Sequence, residues 1–244
     1  MKQNKYDEAS FFENYSLMPR STAGLEAAGE WGAFRALLPD LQGQRVLDLG
    51  CGFGWHCRYA REHGAVSVVG IDLSTNMLER ARKLTSDPGI EYLQLAIEDA
   101  AFSADEFDTV ISSLAIHYVE DFYSLCRQIY HCLKPGGAFV FSVEHPIFTA
   151  LAAQDWQYGP EGEKQHWPVD SYHLEGPRQA NFLDHEVTKY HRNAATYINT
   201  LIDCGFSLTR ISELQPTADM LEQNAAWVEE TRRPMFLLLS AVKN

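Results

Sequence analysis

The sequence lacks the cysteine pairs and the long apolar runs that mark several classes of protein. Its five cysteines form no C-x-x-C pair, so neither a disulfide framework nor a zinc knuckle is indicated. They are Cys51, Cys57, Cys126, Cys132 and Cys204. No apolar run approaches the length of a membrane-spanning helix, and the first eight residues contain no apolar targeting core. These absences predict a soluble cytoplasmic protein with reduced thiols and no membrane partner.

Basic side chains are also scarce in this sequence. There are 20 Lys and Arg against 33 Asp and Glu, which gives a net charge of -13. Such a charge opposes electrostatic binding to nucleic acid or to anionic membranes. Two tight basic clusters, residues 80–83 and 232–233, are interpreted as solvated surface and not as phosphate-binding tracks. We therefore expect a small molecule as the partner.

Residues 45–55 contain the pattern D-x-G-x-G-x-G after a short apolar run. Residues 46–49 are predicted to form a buried strand, and Gly50, Gly52 and Gly54 allow a tight turn into a helix. Without side chains at these positions, a ligand can touch the main chain. The free amides at the start of the helix favour a negatively charged group such as a carboxylate. The stretch therefore predicts a cradle for a small ligand.

Two aspartates extend this cradle. Asp48 stands just before the first glycine, where its carboxylate can hold an ammonium group. Asp72 ends a second apolar run, residues 66–71, about twenty residues after the glycines. A carboxylate in that place can accept hydrogen bonds from both hydroxyls of a ribose. Together the glycine turn and Asp72 predict a ligand that contains a nucleoside.

The spacing of the glycines resembles that of one family. The dinucleotide fingerprint G-x-G-x-x-G would place a glycine at position 55, where this sequence has Trp55. The pattern is instead similar to motif I of the class I S-adenosylmethionine-dependent methyltransferases, in particular small-molecule enzymes of type 11. Residues 69–78 resemble the second segment of that family, and the likeness covers roughly residues 44–144.

This resemblance implies a Rossmann-like α/β fold, with a mostly parallel seven-stranded sheet, helices on both faces and an antiparallel last strand. We expect an N-terminal helical cap over residues 1–43, a cofactor-binding core over 44–145, an insertion over 146–186 and the rest of the sheet over 187–244. The insertion mixes aromatic residues with glycine and proline, which is typical of a substrate lid. A dimerisation arm, and hence a homodimer, is the alternative.

Apolar spacing and turn signals predict the elements around these motifs. Helices are expected over residues 25–38, 74–84, 121–133 and 190–205, with Ser74 as an N-cap. Further strands are expected over residues 90–97, 105–113, 138–143, 206–214 and 234–242. Residues 134–137 are expected to form a turn.

S-adenosylmethionine is the cofactor that the resemblance implies. Tyr15 and Arg20, in the cap, are then expected to cover or contact its methionyl end, and Met77 to pack on the adenine. Ser113 and Leu114 follow a strand and should lie beside the cofactor, because ligands bind at the carboxyl ends of parallel strands.

The adenine amino group is often held in this family by an acidic residue within a Gly-Asp-Ala pattern. This sequence departs from that pattern, since it has Leu95 and Ala96 there. Glu98, Asp99 or the backbone near Ile97 is expected to make the contact instead. The complete predicted cofactor set is Tyr15, Arg20, Asp48, Gly50, Cys51, Gly52, Gly54, Asp72, Leu73, Met77, Ile97, Glu98, Asp99, Ser113 and Leu114.

Three histidines are candidates for a general base. His117 and His145 follow strands at their carboxyl ends, and His191 is the third candidate. Methyl transfer from a sulfonium to an oxygen, nitrogen or carbon nucleophile mainly requires alignment and exclusion of water, and a base assists a hydroxyl or amine. No H-x-x-x-H or H-E-x-x-H spacing indicates a metal site.

Two other functions stay open at the level of sequence. An NAD-dependent oxidoreductase shares the strand, the glycine turn and the acidic ribose ligand. A non-catalytic S-adenosylmethionine-binding module would keep every motif and lack only a place for an acceptor. An open acceptor pocket beside the cofactor would favour the enzyme over the module.

Overall fold

The computed structural model describes residues 2–223 and 225–244, which form a seven-stranded sheet, two β-hairpins and the surrounding helices. The strands are β1 (Arg45–Leu49), β2 (Ser67–Asp72), β3 (Ile90–Gln94), β4 (Phe107–Ser113), β5 (Leu133–Glu144), β6 (Gln157–Tyr158), β7 (Lys164–His166), β8 (Gly176–Phe182), β9 (His185–His191), β10 (Phe206–Glu213) and β11 (Phe236–Lys243). The α-helices are α1 (Ala9–Ser16), α2 (Pro19–Thr22), α3 (Trp31–Arg35), α4 (Trp55–Glu62), α5 (Thr75–Leu84), α6 (Phe122–Cys132), α7 (Pro146–Thr149), α8 (Ala194–Asp203) and α9 (Ala218–Gln223).

The main sheet has the strand order β10-β11-β5-β4-β1-β2-β3. Strands β1 to β5 pair in parallel, whereas β11 is antiparallel to both of its neighbours, β5 and β10. The predicted mostly parallel sheet with an antiparallel last strand is confirmed. The chain reverses its direction of winding between β1 and β4, and in open α/β sheets ligands bind outside the carboxyl ends of the strands at this point.

Side chains of β1 alternate between two apolar cores, one on each face of the sheet. Val46 belongs to the core that includes residues of α3 and α4. Leu47 and Leu49 belong to the core that includes residues of α6 and α8. Because successive side chains of a strand point to opposite faces, this strand is buried on both sides, as its continuous apolar sequence predicts.

Several helices begin at side-chain caps that the sequence supplies. Ser74 Oγ accepts a hydrogen bond from the Met77 amide at 3.1 Å, so its predicted N-cap role is confirmed. Asp121 caps α6 in the same way through the Ser124 amide, and Asn193 caps α8 through the Thr196 amide. Each cap satisfies an amide that the helix itself leaves without a partner.

Three predicted helix and strand ranges were wrong in extent. The helix expected over 25–38 is a 3-10 turn, Leu25–Ala27, followed by the short α3, because residues 28–30 turn between them at Gly29. Strand β3 ends at Gln94, and Ile97–Asp99 is a 3-10 turn. The helix expected from residue 190 begins at Ala194, since residues 190 and 191 complete β9.

The turn predicted at residues 134–137 lies inside β5. The pairing of β4 with β5 shifts there, from Phe107 opposite Leu133 to Thr109 opposite Ala138. Gly136 adopts a φ of 78°, which only glycine takes readily. The strand therefore bulges at the predicted turn and then resumes its ladder.

The segment after β5 forms α7 and the two antiparallel hairpins β6–β7 and β8–β9. The boundary expected at residue 186 lies within β9. Across the described part of the chain, no helix is long and apolar enough to span a bilayer.

Candidate active site

The turn from β1 into α4 is held in one conformation by its glycines. The amides of Gly50 and Cys51 both donate to the carbonyl of Ile71, each at 2.9 Å. Gly50 and Gly54 have φ values of 75° and 70°, in the left-handed region that favours glycine. A Cβ on Gly50 would stand 2.4 Å from Ala115 Cβ. Both the backbone conformation and the packing therefore require glycine at position 50.

Gly52 and Asp72 meet across this turn. The Gly52 amide donates to Asp72 Oδ2 at 2.9 Å, and the Ser74 amide donates to Oδ1 at 2.9 Å. Burial raises the pKa of Asp72 to about 6, although these amides oppose the rise. The carboxylate is thus ionised at neutral pH and held in a fixed orientation. Each of its oxygens retains acceptor capacity for a ribose hydroxyl.

Asp48 lies beneath the turn and is only 1% exposed. Cys57 Sγ donates to its Oδ2 at 3.2 Å, and burial raises its pKa to about 7. It is absent from the described residues that line the cavity at this edge of the sheet. The expected contact between Asp48 and an ammonium group thus stays a prediction, and the geometry gives it no support.

A cavity of about 1040 Å³ opens at the carboxyl ends of β1, β2, β4 and β5, and we call it the central cavity. Most of the predicted site residues line it. They are Tyr15, Arg20, Gly50, Gly52, Asp72, Leu73, Met77, Ile97, Glu98, Ser113, Leu114 and His117. Cys51 lines a smaller cleft of about 70 Å³ that shares Arg20, Gly50 and Gly52 with the central cavity. The remaining predicted residues, Asp48, Gly54, Asp99, His145 and His191, are not among the described lining residues.

Leu114 brings a strained backbone to the cavity wall. It is not a glycine, yet its φ is 53°. Its amide donates to the carbonyl of Ser142 at 3.0 Å and to the Ser142 hydroxyl at 3.1 Å. These bonds from β5 hold the end of β4 in an unfavourable conformation, a kind of strain that clusters at functional sites.

The N-terminal cap covers one side of the central cavity. Arg20 forms an ion pair with Glu30, whose side chain is 4% exposed, and both residues line the cavity. Tyr15 packs edge-to-face on Tyr6 at 5.2 Å between ring centroids, and the Tyr6 hydroxyl lies 3.5 Å from that of Tyr118. The cap thus brings a charged pair and a group of phenol rings to the glycine turn.

The loop after β3 is tied to the start of the chain. Lys2 Nζ lies 2.6 Å from Asp99 and 3.9 Å from Glu98. Of these two acids, Glu98 lines the central cavity, as does Ile97. An adenine contact from Glu98 or from the backbone near Ile97 is therefore compatible with the geometry, and Asp99 is engaged by Lys2.

His117 is buried at 3% exposure and lines the central cavity. Its Nδ1 accepts the backbone amide of Glu144 at 3.4 Å, so in the neutral ring the proton lies on Nε2. Burial lowers its pKa to about 4, against the attraction of the Glu144 carboxylate. His117 is therefore uncharged at neutral pH.

His145 and His191 use both ring nitrogens within the fold. His145 accepts the Ile147 amide at the start of α7 and bonds Glu213 at 3.0 Å. His191 bonds the Thr149 hydroxyl at 2.7 Å and the Tyr172 carbonyl at 3.0 Å. Burial lowers the pKa of both rings. Neither is positioned to act on a molecule in the central cavity, and we propose no base role for them.

Sequence reasoning missed a second set of polar residues on the cavity wall, which includes Glu30, Glu144, Gln154 and Lys189. Glu144 could have been found from the sequence, since it ends β5 at the carboxyl edge of the sheet. No sequence feature points to Lys189, because a lysine in a strand of mixed polarity is ordinarily solvated. Within residues 2–223 and 225–244, no group of three or more His, Cys, Asp or Glu side chains is arranged to hold a metal ion.

The sheet order, the glycine turn after β1 and the carboxylate at the end of β2 define an α/β protein that binds a nucleoside-containing cofactor. A family model for a methyltransferase domain matches residues 47–141. The structure of a S-adenosylmethionine-dependent methyltransferase from Mesorhizobium loti is 47% identical, covers 90% of this chain and 100% of that chain, and has a TM-score of 0.85. A structure assigned to the same class from Listeria monocytogenes is 50% identical, with 91% and 99% coverage and a TM-score of 0.86. A Haemophilus influenzae protein is 34% identical over 253 residues, which are 99% of this chain and 98% of that one.

The chain therefore belongs to the class I S-adenosylmethionine-dependent methyltransferases, and S-adenosylmethionine is its cofactor. The predicted family and cofactor are confirmed. These relationships do not favour the NAD-dependent oxidoreductase.

Proposed function

We propose that the protein transfers the methyl group of S-adenosylmethionine to an oxygen, nitrogen or carbon atom of a small molecule. The central cavity is the observation that supports this, because it extends from Gly52 and Asp72 to His117 and Glu144. Its volume of about 1040 Å³ is slightly above the roughly 300–1,000 Å³ common for a single drug-sized ligand. Room for an acceptor beside the cofactor favours an enzyme over a binding module.

The residues around the glycine turn fit the cofactor. At Gly52, among the described atoms, Met77 Cε at 3.5 Å is the nearest neighbour of an added Cβ, so the main chain is open to a ligand there. Asp72 would hold the ribose, and Met77 would pack near the adenine. Arg20 would offer the carboxylate of the methionyl end the guanidinium hydrogens that its ion pair with Glu30 does not use. When bound, the cofactor supplies a methyl group on a positively charged sulfur that a nucleophile can displace. The chain's own task is to align the acceptor and exclude water.

We assign His117 a positioning role toward the acceptor. With a pKa of about 4 it is a weak base, whereas its Nε2 proton can be donated to an acceptor atom in the cavity. His117→Ala should raise the KM of the acceptor about ten-fold or more, and His117→Gln, which retains a donor, should recover part of that loss. The affinity for S-adenosylhomocysteine should stay unchanged. Turnover that falls as pH drops through about 6.5 would instead indicate an ordinary histidine base.

The proposal is tested by following the methyl group itself. The purified protein is incubated with methyl-labelled S-adenosylmethionine and a cell extract separated into small molecules, nucleic acid and protein. We expect label in the small-molecule fraction, and none when Asp72→Ala replaces the wild type, because that variant loses the ribose ligand. Label confined to the nucleic acid or protein fraction would contradict a small-molecule acceptor. No transfer at all would favour the non-catalytic module.

The cytoplasm is the location that we propose for this activity. All five cysteines are buried free thiols in the structure. Thiols persist in the reducing conditions of the cytoplasm, which supports this location.

A further inference from the structure

A buried polar triad lies on the wall of the central cavity, and we call it the Lys189 triad. Lys189 Nζ donates to Glu144 Oε1 at 2.6 Å and to Gln154 Oε1 at 3.2 Å. Gln154 Nε2 closes the ring by donating to Glu144 Oε2 at 3.1 Å. The Lys189 side chain is 2% exposed and that of Glu144 is 13% exposed. The three residues come from β9, from the end of β5 and from the loop after α7.

Apolar side chains line the cavity around the triad, together with the neutral His117 beside Glu144. Phe148, Phe182, Met235 and Phe236 line the same cavity, and Lys189 Nζ lies 5.2 Å from the centre of the Phe182 ring. Burying an ion pair in such surroundings does not by itself favour folding, because the loss of hydration offsets the attraction between the charges. The triad is therefore not explained by stability alone.

Gln154 takes part in the triad from an unfavourable backbone conformation. Its φ is 46°, in the left-handed region that non-glycine residues rarely adopt. Its side chain nevertheless reaches both Lys189 and Glu144. Strained residues that orient a polar group toward a cavity are typical of ligand sites.

Lys189 keeps one hydrogen for a ligand. An ammonium group has three donors, and within the described chain two of them are used by Glu144 and Gln154. Lys189 itself lines the cavity. Its third hydrogen has no oxygen or nitrogen partner among the described residues and only the Phe182 ring nearby, so an acceptor atom of a molecule bound there can take it.

We propose that the Lys189 triad is the subsite that selects the methyl acceptor, and that it recognises an uncharged hydroxyl or carbonyl group on a mostly apolar small molecule. This inference rests on the proposed function. The charges of Lys189 and Glu144 cancel, and Gln154 is neutral. An uncharged oxygen can accept from Lys189 without disturbing the pair.

Charged groups fit the triad poorly. A carboxylate in the cavity would share Lys189 with Glu144 and so bring two negative charges together around one ammonium. An ammonium group would compete with Lys189 for Glu144 in the same way. Neither charge would be fully paired, and an unpaired charge in apolar surroundings is strongly disfavoured.

Three probes of nearly equal size and shape test this selectivity. Naphthol, naphthoate and naphthylmethylammonium are titrated calorimetrically, at neutral pH, into the full-length protein saturated with S-adenosylhomocysteine. We expect naphthol to bind about ten-fold tighter than either charged probe. A charged probe that binds as tightly as naphthol, or naphthol that does not bind, would overturn the inference.

Variants locate the effect in the triad. The double variant Lys189→Met with Glu144→Gln removes both charges together, so neither is left alone. It should weaken naphthol binding about ten-fold and change the affinity for S-adenosylhomocysteine by less than about two-fold. Should this variant not fold, Lys189→Arg is used, which keeps the charge but moves the donors and should weaken naphthol binding likewise. Unchanged naphthol affinity in the folded variant would overturn the inference.

Lys134→Met is the matched control. It removes an ion pair in which Lys134 Nζ lies 2.7 Å from Asp108 Oδ1. Neither residue is in the described lining of the central cavity, so probe binding should not change. If the wild type shows no preference for naphthol but transfers methyl groups to small molecules, only the inference about the Lys189 triad is wrong. Absence of labelled small molecules in the transfer assay would remove the proposed function instead.

Discussion

Single residues in the glycine turn are glycine for different physical reasons. At Gly54 a φ of 70° combines with the approach of Tyr92, whose Oη would stand 2.1 Å from an added Cβ. At Gly52 a φ of 53° also favours glycine, but the space for an added Cβ is open, which leaves the main chain accessible to a ligand. The packing role of Gly54 can therefore be tested separately from the ligand-binding role of Gly52.

Gly54→Ala should destabilise the protein by about 1–3 kcal/mol, because it adds backbone strain and displaces Tyr92. Denaturant unfolding measures the change. The control is Gly32→Ala in α3, where φ is ordinary and no described atom lies within 4 Å of the new Cβ. That variant should be neutral or slightly stabilising, since alanine is the better helix former. Equal effects of the two substitutions would contradict the role given to Tyr92.

Asp48 makes stability depend on pH. Burial raises its pKa from 3.8 to about 7, so the folded protein favours the protonated carboxyl. The contribution of this carboxyl to the free energy of unfolding is fully present below pH 3.8 and is lost as pH rises through about 7. Asp48→Asn should therefore stabilise the protein by about 4 kcal/mol above neutral pH and have little effect at acidic pH. Urea unfolding of both proteins across this range measures the difference. A constant difference at all pH values would show that ionisation is not the cause.

The same variant tests the predicted ammonium contact. If Asp48 only supports the turn, Asp48→Asn should bind S-adenosylhomocysteine as the wild type does. A loss of affinity of ten-fold or more would restore the role that the sequence predicts for Asp48.

Among the elements, the start of α5 depends on a residue far away in the chain. Asp7 accepts hydrogen bonds from the Ser74 hydroxyl at 2.5 Å and from the amides of Thr75 and Asn76 at 3.2 and 3.0 Å. Burial works against its ionisation, but these bonds lower the pKa of Asp7. The contribution of the Asp7 carboxylate to the free energy of unfolding is present above pH 3.8 and is lost as pH falls through the lowered pKa. The first turn of α5 is thus capped by two residues, Ser74 directly before the helix and Asp7 from the N-terminal segment.

Asp7→Ala should cost about 1 kcal/mol of stability and increase hydrogen exchange at residues 75–77. It should also speed dissociation of S-adenosylhomocysteine, because Ser74 orients Asp72 through its amide. Glu13→Ala, at an exposed position of α1, is the control and should change neither quantity. An unchanged exchange rate in Asp7→Ala would rule out this second cap.

The elements differ in how far the sequence predicted them. The glycine turn, the Ser74 cap and the strand that ends at Asp72 depend on residues close together in the chain, so local patterns were sufficient. The Asp7 cap joins residues about seventy positions apart, and the Lys189 triad joins three loops and strands that have no common pattern. Such contacts exist only after the sheet has brought distant segments together. The short α3 was missed because the turn at Gly29 interrupts the periodic apolar pattern of residues 25–38.

For the molecule as a whole, cofactor binding should be visible in its thermal stability. A ligand at one hundred times its Kd adds about 2.7 kcal/mol, which raises Tm by roughly 5–10 °C for a chain of this size. We expect this shift with S-adenosylhomocysteine and no shift with NAD at the same concentration, measured by scanning calorimetry. A larger shift with NAD would contradict the family assignment of the cofactor.

The position of β11 has a consequence for synthesis on the ribosome. This strand follows every other described element in the chain, yet it lies between β5 and β10 in the sheet. While residues 236–243 are still inside the exit tunnel, β10 has no neighbouring strand and one edge of β5 is bare. The nascent chain therefore carries two strand edges without hydrogen-bond partners until translation of this region is complete. Slow translation near residue 236 would prolong the period in which the half-built sheet can aggregate.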